Sequence, residues 1–424
     1  MAASAQNRVI IVGGGLGGLA LAQGFKNANP PIPFHVFERD SSADFRSQGY
    51  RIRIFPNGAM ALQKLLPDHL WKVFEDSCGE VKPGLNRIDA STSQLLQLAP
   101  SSSGGRAGPP PLPEGKSYNA DRAVLRNLLL DGLEDNISFE KRFESYRIMS
   151  DGNVEVTFFD GTKHTGAILV GADGTRSSIR RQLMPDFTVL DTEGRAIFGK
   201  TFSTPEIQSL VSTELLKGMC LVGDSDGSAP TLFSDVMHFS RDLDQKSRTT
   251  YKVPDDYIYW VLCFNKDFIS NMEESFQKLD NEQSAEKALE MSKGWHSNIK
   301  CLFQNQHRAS SSTLEFYTCS SQTFRREWDA LIERPAPAAV TLLGDAAHPM
   351  SPIGGVGANS AFQEAADLLT ALGRIYSNAV ASDALRDYAR LLVDRGEQTV
   401  NRSAGGAGNM FQMKPFSELK AVSI

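Results

Sequence analysis

Four short strand-like stretches stand out along the chain, and glycine or an acidic residue follows each of them. They occupy residues 9–12, 33–39, 167–170 and 339–343. Short apolar runs of this kind are typical of parallel strands that are buried on both faces. Helical spacing follows at 19–25 and 177–183. The alternation of strands with helices predicts an α/β fold built on a Rossmann-like sheet.

A second pattern fills the middle of the chain. The stretch 255–264 alternates between apolar and polar character, which predicts half-buried strands of an inserted β-sheet domain that could floor a pocket. Residues 99–116 are rich in Gly, Pro and Ser, which favours a surface loop. A helical pattern resumes at 383–398, and "NRSAGGAGN" after it predicts a break. The expected division is a discontinuous cofactor domain at 1–80, 118–185 and 336–378, a substrate domain at 81–117 and 186–335, and a C-terminal helical segment at 379–424.

Composition narrows the class of protein. The 424 residues include 41% hydrophobic and 22% charged residues, as in globular proteins with a large core. The net charge of −6 argues against general nucleic-acid binding. No apolar run reaches the roughly 20 residues of a membrane span, and the first residues lack a secretion-signal pattern. Five scattered cysteines without a C-x-x-C pair favour reduced thiols, a cytoplasmic location and no metal site.

The first strand leads into a glycine-rich turn. Gly13, Gly15 and Gly18 form G-x-G-x-x-G, and Glu38 ends the second strand twenty residues later. In a strand–turn–helix unit, such glycines permit a tight turn, close approach to a pyrophosphate and close helix–strand packing. An acid at the end of the next strand binds ribose hydroxyls. The pattern predicts a dinucleotide site, although this motif alone does not distinguish NAD from FAD.

A second glycine-rich loop, "GDAAHPMSPIGGVGANSAFQEA" at 344–365, favours FAD. Asp345 could accept hydrogen bonds from the ribityl hydroxyls. The helix start at 355–359 could stabilise negative charge at the N1–C2=O edge of the flavin ring. The two loops would therefore serve opposite ends of one cofactor.

These motifs, with "GADGTRSSIR" at 171–180 between them, resemble those of the FAD-dependent aromatic-hydroxylase family, the single-component (group A) flavoprotein monooxygenases. The resemblance covers most of the chain and is greatest to tetracycline-destructase and salicylate-hydroxylase-like members. It implies a glutathione-reductase-type FAD domain, and it implies FAD contacts from a set of residues along the three motifs and their flanks. These are Gly13, Gly15, Leu16, Gly17, Gly18, Glu38, Arg39, Arg53, Arg122, Asp345, Pro352, Gly355, Val356, Gly357, Ala358 and Asn359.

The resemblance also implies the reaction. NADPH would bind transiently, with Arg46 meeting it, and reduce the flavin. O2 would then add at C4a, and the hydroperoxide would hydroxylate or epoxidise a small aromatic, polyketide, alkaloid or terpenoid substrate. The alternatives left open are a flavin-dependent reductase or oxidase on the same fold, and a non-catalytic flavoprotein that sequesters a small molecule. We expect a monomer or weak dimer without nucleic-acid or membrane partners.

Candidates for substrate chemistry are few. Arg195 begins the inserted domain and could point into the pocket, with an ordinary salt-bridged arginine as the competing interpretation. His238 could be a pocket acid or base, although a lone histidine is more often structural. His348 in "DAAHP" is expected to hold its loop.

Overall fold

The structure is a computed structural model. It describes residues 7–42, 50–96, 114–224, 230–240, 243–270, 272–334, 339–377 and 379–424.

Strands and helices alternate over the first part of the chain. The strands are β1 (Val9–Val12), β2 (Phe34–Phe37), β3 (Arg51–Ile54), β4 (Asn86–Asp89), β5 (Tyr118–Asp121), β6 (Ile137–Ser138), β7 (Phe143–Ile148), β8 (Val154–Phe158), β9 (Lys163–Gly166), β10 (Ile168–Gly171), β11 (Val189–Phe202), β12 (Cys220–Gly223), β13 (Thr231–Met237), β14 (Tyr257–Asn265), β15 (Ser312–Thr318), β16 (Val340–Leu342) and β17 (Lys420–Val422). The α-helices are α1 (Leu16–Asn27), α2 (Pro56–Leu65), α3 (Asp68–Ser77), α4 (Arg122–Leu130), α5 (Ser178–Leu183), α6 (Pro205–Leu210), α7 (Gln245–Thr250), α8 (Glu273–Phe276), α9 (Asn281–Met291), α10 (Ser297–Gln304), α11 (Ser321–Glu333), α12 (Gly357–Tyr376) and α13 (Ala381–Phe411).

The first sheet has five parallel strands in the order β16-β10-β1-β2-β6. Its central strand β1 is fully buried, as the apolar run predicts. Val12 pairs with Phe37 of β2 and with Gly171 of β10, so the strands end at a common edge. The sheet confirms the predicted Rossmann-like α/β fold. It brings the residues that follow β1, β2, β10 and β16 to one place.

The second sheet contains the path β15-β11-β14-β13-β12-β4, with β17 added against β11. The prediction of half-buried strands is wrong for β14, whose residues are buried along almost its whole length. Trp260 and Leu262 pack on one face in a core shared with helices such as α10. Tyr257 and Tyr259 pack on the other face, together with residues of α13. Both faces are covered, so the strand carries apolar or aromatic side chains at every position except its last, Asn265.

Helix α13 corrects a second expectation. The "NRSAGGAGN" stretch does not break the helix, which runs unbroken from Ala381 to Phe411. Glycines in this helix permit close packing. A Cβ at Gly396 would lie 2.5 Å from the ring of Phe324, and one at Gly406 would lie 3.1 Å from Ile353. Packing against neighbours outweighs the cost of glycine in a helix, about 1 kcal/mol per residue.

Strand membership supports the expected division of the chain, which we keep as a proposal. Strand β4, from the first inserted stretch, joins β11–β15 in the second sheet. The C-terminal segment is not purely helical, since β17 pairs with β11 at the edge of that sheet. Within the described ranges, no helix has the length and apolar character required to cross a membrane.

Candidate functional site

The first glycine-rich turn lies at the common edge of the parallel sheet. Gly13 has φ +117°, and a Cβ there would lie 2.1 Å from the carbonyl oxygen of Ala172. A Cβ on Gly18 would lie 2.2 Å from the oxygen of Gly13. Beside Gly15, by contrast, no atom lies within 4 Å of a Cβ position. Gly13 and Gly18 are therefore required by the fold, whereas Gly15 borders open space.

The other two residues of this motif differ in their surroundings. Leu16 is the first residue of α1 and is buried. A Cβ on Gly17 would lie 3.1 Å from the Cβ of Ala361 in α12, which places Gly17 at the contact between the two helices.

Glu38 follows β2 and turns back towards this loop. It is 7% exposed. One carboxylate oxygen accepts from Gly14 N–H at 2.5 Å, and the other accepts from Asp40 N–H at 2.9 Å. The acid therefore lies against the glycine loop, at the position expected for a ribose-binding carboxylate. Arg39, whose side chain is half exposed, points towards Asp40 instead.

Two arginines of α4 face the same region, one helical turn apart. Arg126 donates to the carbonyl oxygen of Gly14 at 3.2 Å. The charge of Arg122 acts on the carboxyl group of Asp345. Four residues advance a helix by about 6 Å, and the two arginines act on different glycine-rich loops, Arg126 on the first and Arg122 on the late one. The helix is oriented by Asp121, whose carboxylate caps its first turn and accepts from the hydroxyl of Tyr257 at 2.8 Å.

The middle motif connects the two loops. The buried guanidinium of Arg180 donates to the carbonyl oxygens of Asp345 and Ala346, at 3.2 and 2.9 Å. One oxygen of Asp173 caps α5 through Ser178 N–H, and its other oxygen is buried without a hydrogen-bond partner. Burial raises the pKa of Asp173. The motif thus holds the late loop in place and leaves one polar atom unsatisfied near the sheet edge.

The carboxyl group of Asp345 has a raised pKa although the residue is exposed. The surrounding protein raises the pKa of its carboxyl group, although the charges of His348, Arg122 and Arg180 act in the opposite direction. Its side chain nevertheless remains exposed to solvent. The carboxylate also lies near the start of α12, 3.6 Å from where a Cβ of Gly357 would be. Asp345 therefore faces an opening beside the start of α12.

The loop after Asp345 borders the same opening. Pro352 and Gly355 are exposed, and no atom lies within 4 Å of a Cβ position on Gly355, which has φ +64°. Val356 precedes the first turn of α12 and is buried, and Ala358 within that turn is half-buried. The twenty-residue helix α12 thus begins beside the exposed backbone of this loop, and its N-terminus carries a partial positive charge.

Asn359 is buried, and protein groups occupy its side chain. Its oxygen accepts from Phe55 N–H at 2.7 Å. Its amide donates to the carbonyl oxygens of Arg53 and Gly355, each at 2.9 Å. The side chain therefore positions the loop, which leaves only its backbone for a ligand.

His348 and Glu364 form a fully buried pair beneath this loop. His348 Nε2 lies 2.6 Å from Oε1 of Glu364, and Gly344 N–H donates to Oε2 at 2.8 Å. Burial opposes the charged form of His348, but the attraction of Glu364 prevails and raises its pKa. The glutamate thus holds the start of the loop, which has φ +62° at Gly344.

These residues fit FAD on four independent observations. Open space lies beside Gly15 and Gly355, the carboxylate of Asp345 is exposed, and one oxygen of Asp173 is unsatisfied. Arg122 and Arg126 supply positive charge between the two loops, where a pyrophosphate would lie.

A cluster of charged residues lies where the two-stranded sheet β3-β5 meets the second sheet. Arg51 Nη2 lies 2.7 Å from Oδ2 of Asp235 on β13, whereas the corresponding distance from Arg53 is 3.5 Å. Asn119 donates to the same carboxylate oxygen at 3.4 Å. The Arg51 guanidinium lies over the ring of Phe233 at 5.6 Å.

Arg195, the first candidate for substrate chemistry, is surrounded by three acidic side chains. It makes two hydrogen bonds to Asp191 and one to Glu273, each at 2.9 Å, and Glu315 lies 3.6 Å away. It shares a strand face with Ile197, which packs towards the helices and away from Tyr259. These contacts favour the ordinary salt-bridged arginine over a substrate anchor.

His238 is also paired with an acid. Its side chain is 52% exposed and pairs with Asp256 at the end of β13. This placement favours a structural surface pair over a pocket acid or base.

Two further expectations concern NADPH and metals. Arg46, predicted to meet NADPH, lies outside the described residues. No group of three or more His, Cys, Asp or Glu side chains among the described residues is arranged to hold a metal ion. An open groove of about 530 Å³ near Leu95 and Leu210 carries none of the motif residues.

Sequence reasoning missed three site residues. Arg126 could have been found from its spacing, since it lies four residues after Arg122 on the same helix. Arg180 is the last residue of the motif at 171–180, so that motif could have indicated it, whereas Asp235 carries no comparable signal because its contacts depend on elements that are distant in sequence.

Comparisons with known proteins indicate that the chain binds FAD. A family model for the FAD-binding domain matches residues 304–403. The dual O-methyltransferase/FAD-dependent monooxygenase elcB of Phaeosphaeria nodorum is 33% identical over 98% of this chain and 47% of its own. The chain therefore spans about half the length of this relative.

Solved structures show the fold. Klebsiella pneumoniae HpxO, complexed with FAD and uric acid, aligns over 95% of this chain and 88% of its own, with 19% identity and a TM-score of 0.68. Tetracycline destructase Tet(51) aligns over 93% and 89%, with 17% identity and a TM-score of 0.60. The resemblance inferred from the three motifs is confirmed: residues 304–403 match the FAD-binding domain family, and nearly the whole chain is similar in sequence to the monooxygenase relative elcB.

Proposed function

We propose that this chain acts as an FAD-dependent monooxygenase that uses NAD(P)H and O2 to hydroxylate or epoxidise a small organic molecule. The observation that carries the proposal is that the three motifs meet at the common edge of the parallel sheet, beside the exposed carboxylate of Asp345. Bound FAD would supply both electron transfer from NAD(P)H and activation of O2 at ring position C4a.

The residues of the chain would bind and orient the cofactor. In this proposal Glu38 accepts from the adenosine ribose, while Arg122 and Arg126 lie along the pyrophosphate. Asp345 accepts from the ribityl hydroxyls. The backbone at the start of α12, with its partial positive charge, lies along the pyrimidine edge of the ring.

The second sheet would supply the substrate pocket. Phe198, Tyr259 and Phe316 pack in a buried cluster on one face of this sheet, and the partly buried Phe233 lies against them. Aromatic side chains suit a flat ring and exclude water from the reacting position. We therefore propose an aromatic substrate.

The similarity to elcB adds a metabolic context. That relative joins an O-methyltransferase to a monooxygenase in one chain. We propose that the substrate here is a phenolic or methoxylated aromatic compound of secondary metabolism, and that O-methyl transfer is the companion reaction.

The proposal is tested on purified protein. Heat-released cofactor should be FAD, and oxidation of NADPH or NADH should accelerate when a suitable aromatic compound is added. Release of NAD, or no uptake of FAD by the folded protein, would refute the cofactor assignment. NADPH oxidation that no aromatic compound stimulates would favour an oxidase, a reductase or a sequestering flavoprotein.

A further inference from the structure

The guanidinium of Arg53 is buried with too little opposing charge. Its side chain is 10% exposed, and Nε has no hydrogen-bond partner. Its Nη2 contacts are long, 3.5 Å to Asp235 and 3.6 Å to the sulfur of Met219. A buried charge without a close partner costs several kcal/mol of stability, so such a group calls for an explanation.

The nearest carboxylate is already engaged. Arg51 forms an ion pair with Oδ2 of Asp235 at 2.7 Å, and Val236 N–H donates a hydrogen bond to Oδ1. Two guanidinium groups therefore share one carboxylate, which leaves the cluster with one excess positive charge. Burial, together with the repulsion of Arg51, lowers the pKa of Arg53 to about 10, as expected for a cation that lacks a full partner.

The fold fixes the position of the Arg53 guanidinium. Alternate residues of a strand point to opposite faces, so Arg51 and Arg53 share a face while Ile52 and Ile54 point into the first core. The carbonyl oxygen of Arg53 accepts from Asn359, the residue that also binds Gly355. Arg53 thus lies between the late glycine loop and the second sheet.

Aromatic side chains surround the far side of the cluster. Asp235 is the cross-strand neighbour of Tyr259, whose ring lies 6.2 Å from both Phe233 and Tyr50. A flat ring would find stacking partners here, and a negative substituent on it would meet the unpartnered guanidinium.

We infer that Arg53 anchors an anionic oxygen of an aromatic substrate, with Arg51 and Asp235 setting its position. The inference rests on the proposed function and deepens it, because it narrows the substrate to an aromatic anion. It also assigns Arg53 to the substrate, in place of the cofactor contact that the family resemblance implies.

Benzoate and its neutral isostere benzamide provide the test, since each is small enough to enter a pocket built for a larger ring. Binding to the FAD-loaded protein is measured by calorimetry and by the shift in flavin absorbance. Wild type should bind benzoate at least about tenfold more tightly than benzamide, the difference expected for one charge-assisted hydrogen bond.

Variants then locate the anchor. Arg53→Gln should weaken benzoate binding about tenfold and leave benzamide binding unchanged, while Arg53→Lys should retain most of the preference. Asp235→Asn removes the shared counter-charge and should tighten benzoate binding. Thermal melting and FAD content confirm that each variant is folded.

Several outcomes would overturn the inference. They are equal binding of benzoate and benzamide, failure of benzoate to bind wild type, or undiminished benzoate binding in Arg53→Gln. If Arg53→Gln does not fold, Asp235→Asn decides, and no gain in benzoate affinity counts against the anchor. These failures are distinct from failure of the proposed function, which would appear as a protein that does not take up FAD.

Discussion

At the scale of single residues, the site depends on side chains that hold the protein's own backbone while presenting atoms to a ligand. Glu38 is the clearest case, since its two oxygens accept from Gly14 and Asp40. A carboxylate oxygen carries more than one lone pair, so these bonds leave capacity for ribose hydroxyls.

Glu38→Ala should weaken FAD binding about tenfold or more, because the ribose loses a charged acceptor and the glycine loop loses its tether. Titration of apoprotein with FAD, followed by flavin fluorescence, measures the change. Glu38→Gln is the matched control and should fall between Ala and wild type. FAD affinity that does not change in either variant would show that the adenosine end has been misplaced.

Arg195→Ala should destabilise the protein by about 3–5 kcal/mol, because Asp191 and Glu315 would lose their buried counter-charge. His238→Ala removes an exposed pair and should cost less than about 1 kcal/mol. Urea denaturation compares the two. Substrate binding lost in folded Arg195→Ala, with stability unchanged, would restore Arg195 as a pocket residue.

At the scale of elements, two glycines of the first glycine-rich motif differ in role: Gly18 is required for folding, and Gly15 leaves room for the cofactor. Gly15→Ala should fold normally as apoprotein, since nothing lies within 4 Å of the added Cβ, but should bind FAD more weakly. Gly18→Ala should destabilise the apoprotein itself, because its Cβ would meet the oxygen of Gly13 at 2.2 Å. Thermal melting with and without FAD separates the effects, and identical behaviour of the two variants would contradict this division.

The His348–Glu364 pair should make stability depend on pH. The raised pKa of His348 means that its contribution is complete below the unfolded value of 6.5 and is lost as pH rises through the folded value. Burial alone would raise the pKa of Glu364, but the attraction of His348 outweighs it and lowers that pKa. The contribution of Glu364 to stability is therefore present above pH 4.5 and is lost as pH falls through the folded pKa.

The difference in unfolding free energy between wild type and Glu364→Gln should therefore be largest between pH 4.5 and 6.5. Denaturant titrations across pH 4–9 measure it, with His348→Gln as the reciprocal variant. A difference that is flat across this range would mean that the pair is not ionic.

At the scale of the whole molecule, the sequence predicts the parallel sheet well because its signals are local. The run at Val9–Val12, the glycine spacing and the position of Glu38 each follow from geometry within one strand–turn–helix unit. The second sheet was harder to predict. Burial of β14 depends on packing against α10 and α13, which lie later in the sequence. Gly396 and Gly406 of α13 are explained only by the residues that pack against them in the folded protein.

The substrate region shows the same limit. Arg195 and His238 are chemically plausible candidates. Asp191 lies only four residues before Arg195, but β11 is irregular between them, which no pattern predicts, and Asp256 lies 18 residues after His238. The Arg51–Arg53–Asp235 cluster joins β3 to β13 across more than 180 residues, so no spacing rule predicts it.

The most direct test of the central claim follows oxygen atoms. FAD-loaded protein is incubated with NADPH, 18O2 and an aromatic compound that stimulates NADPH oxidation, and the product is analysed by mass spectrometry. We predict that one 18O atom from O2 enters the product and that none enters from H2 18O in the reciprocal experiment. NADPH oxidation that yields only hydrogen peroxide, or a product that is oxidised without the 18O label, would contradict the monooxygenase account.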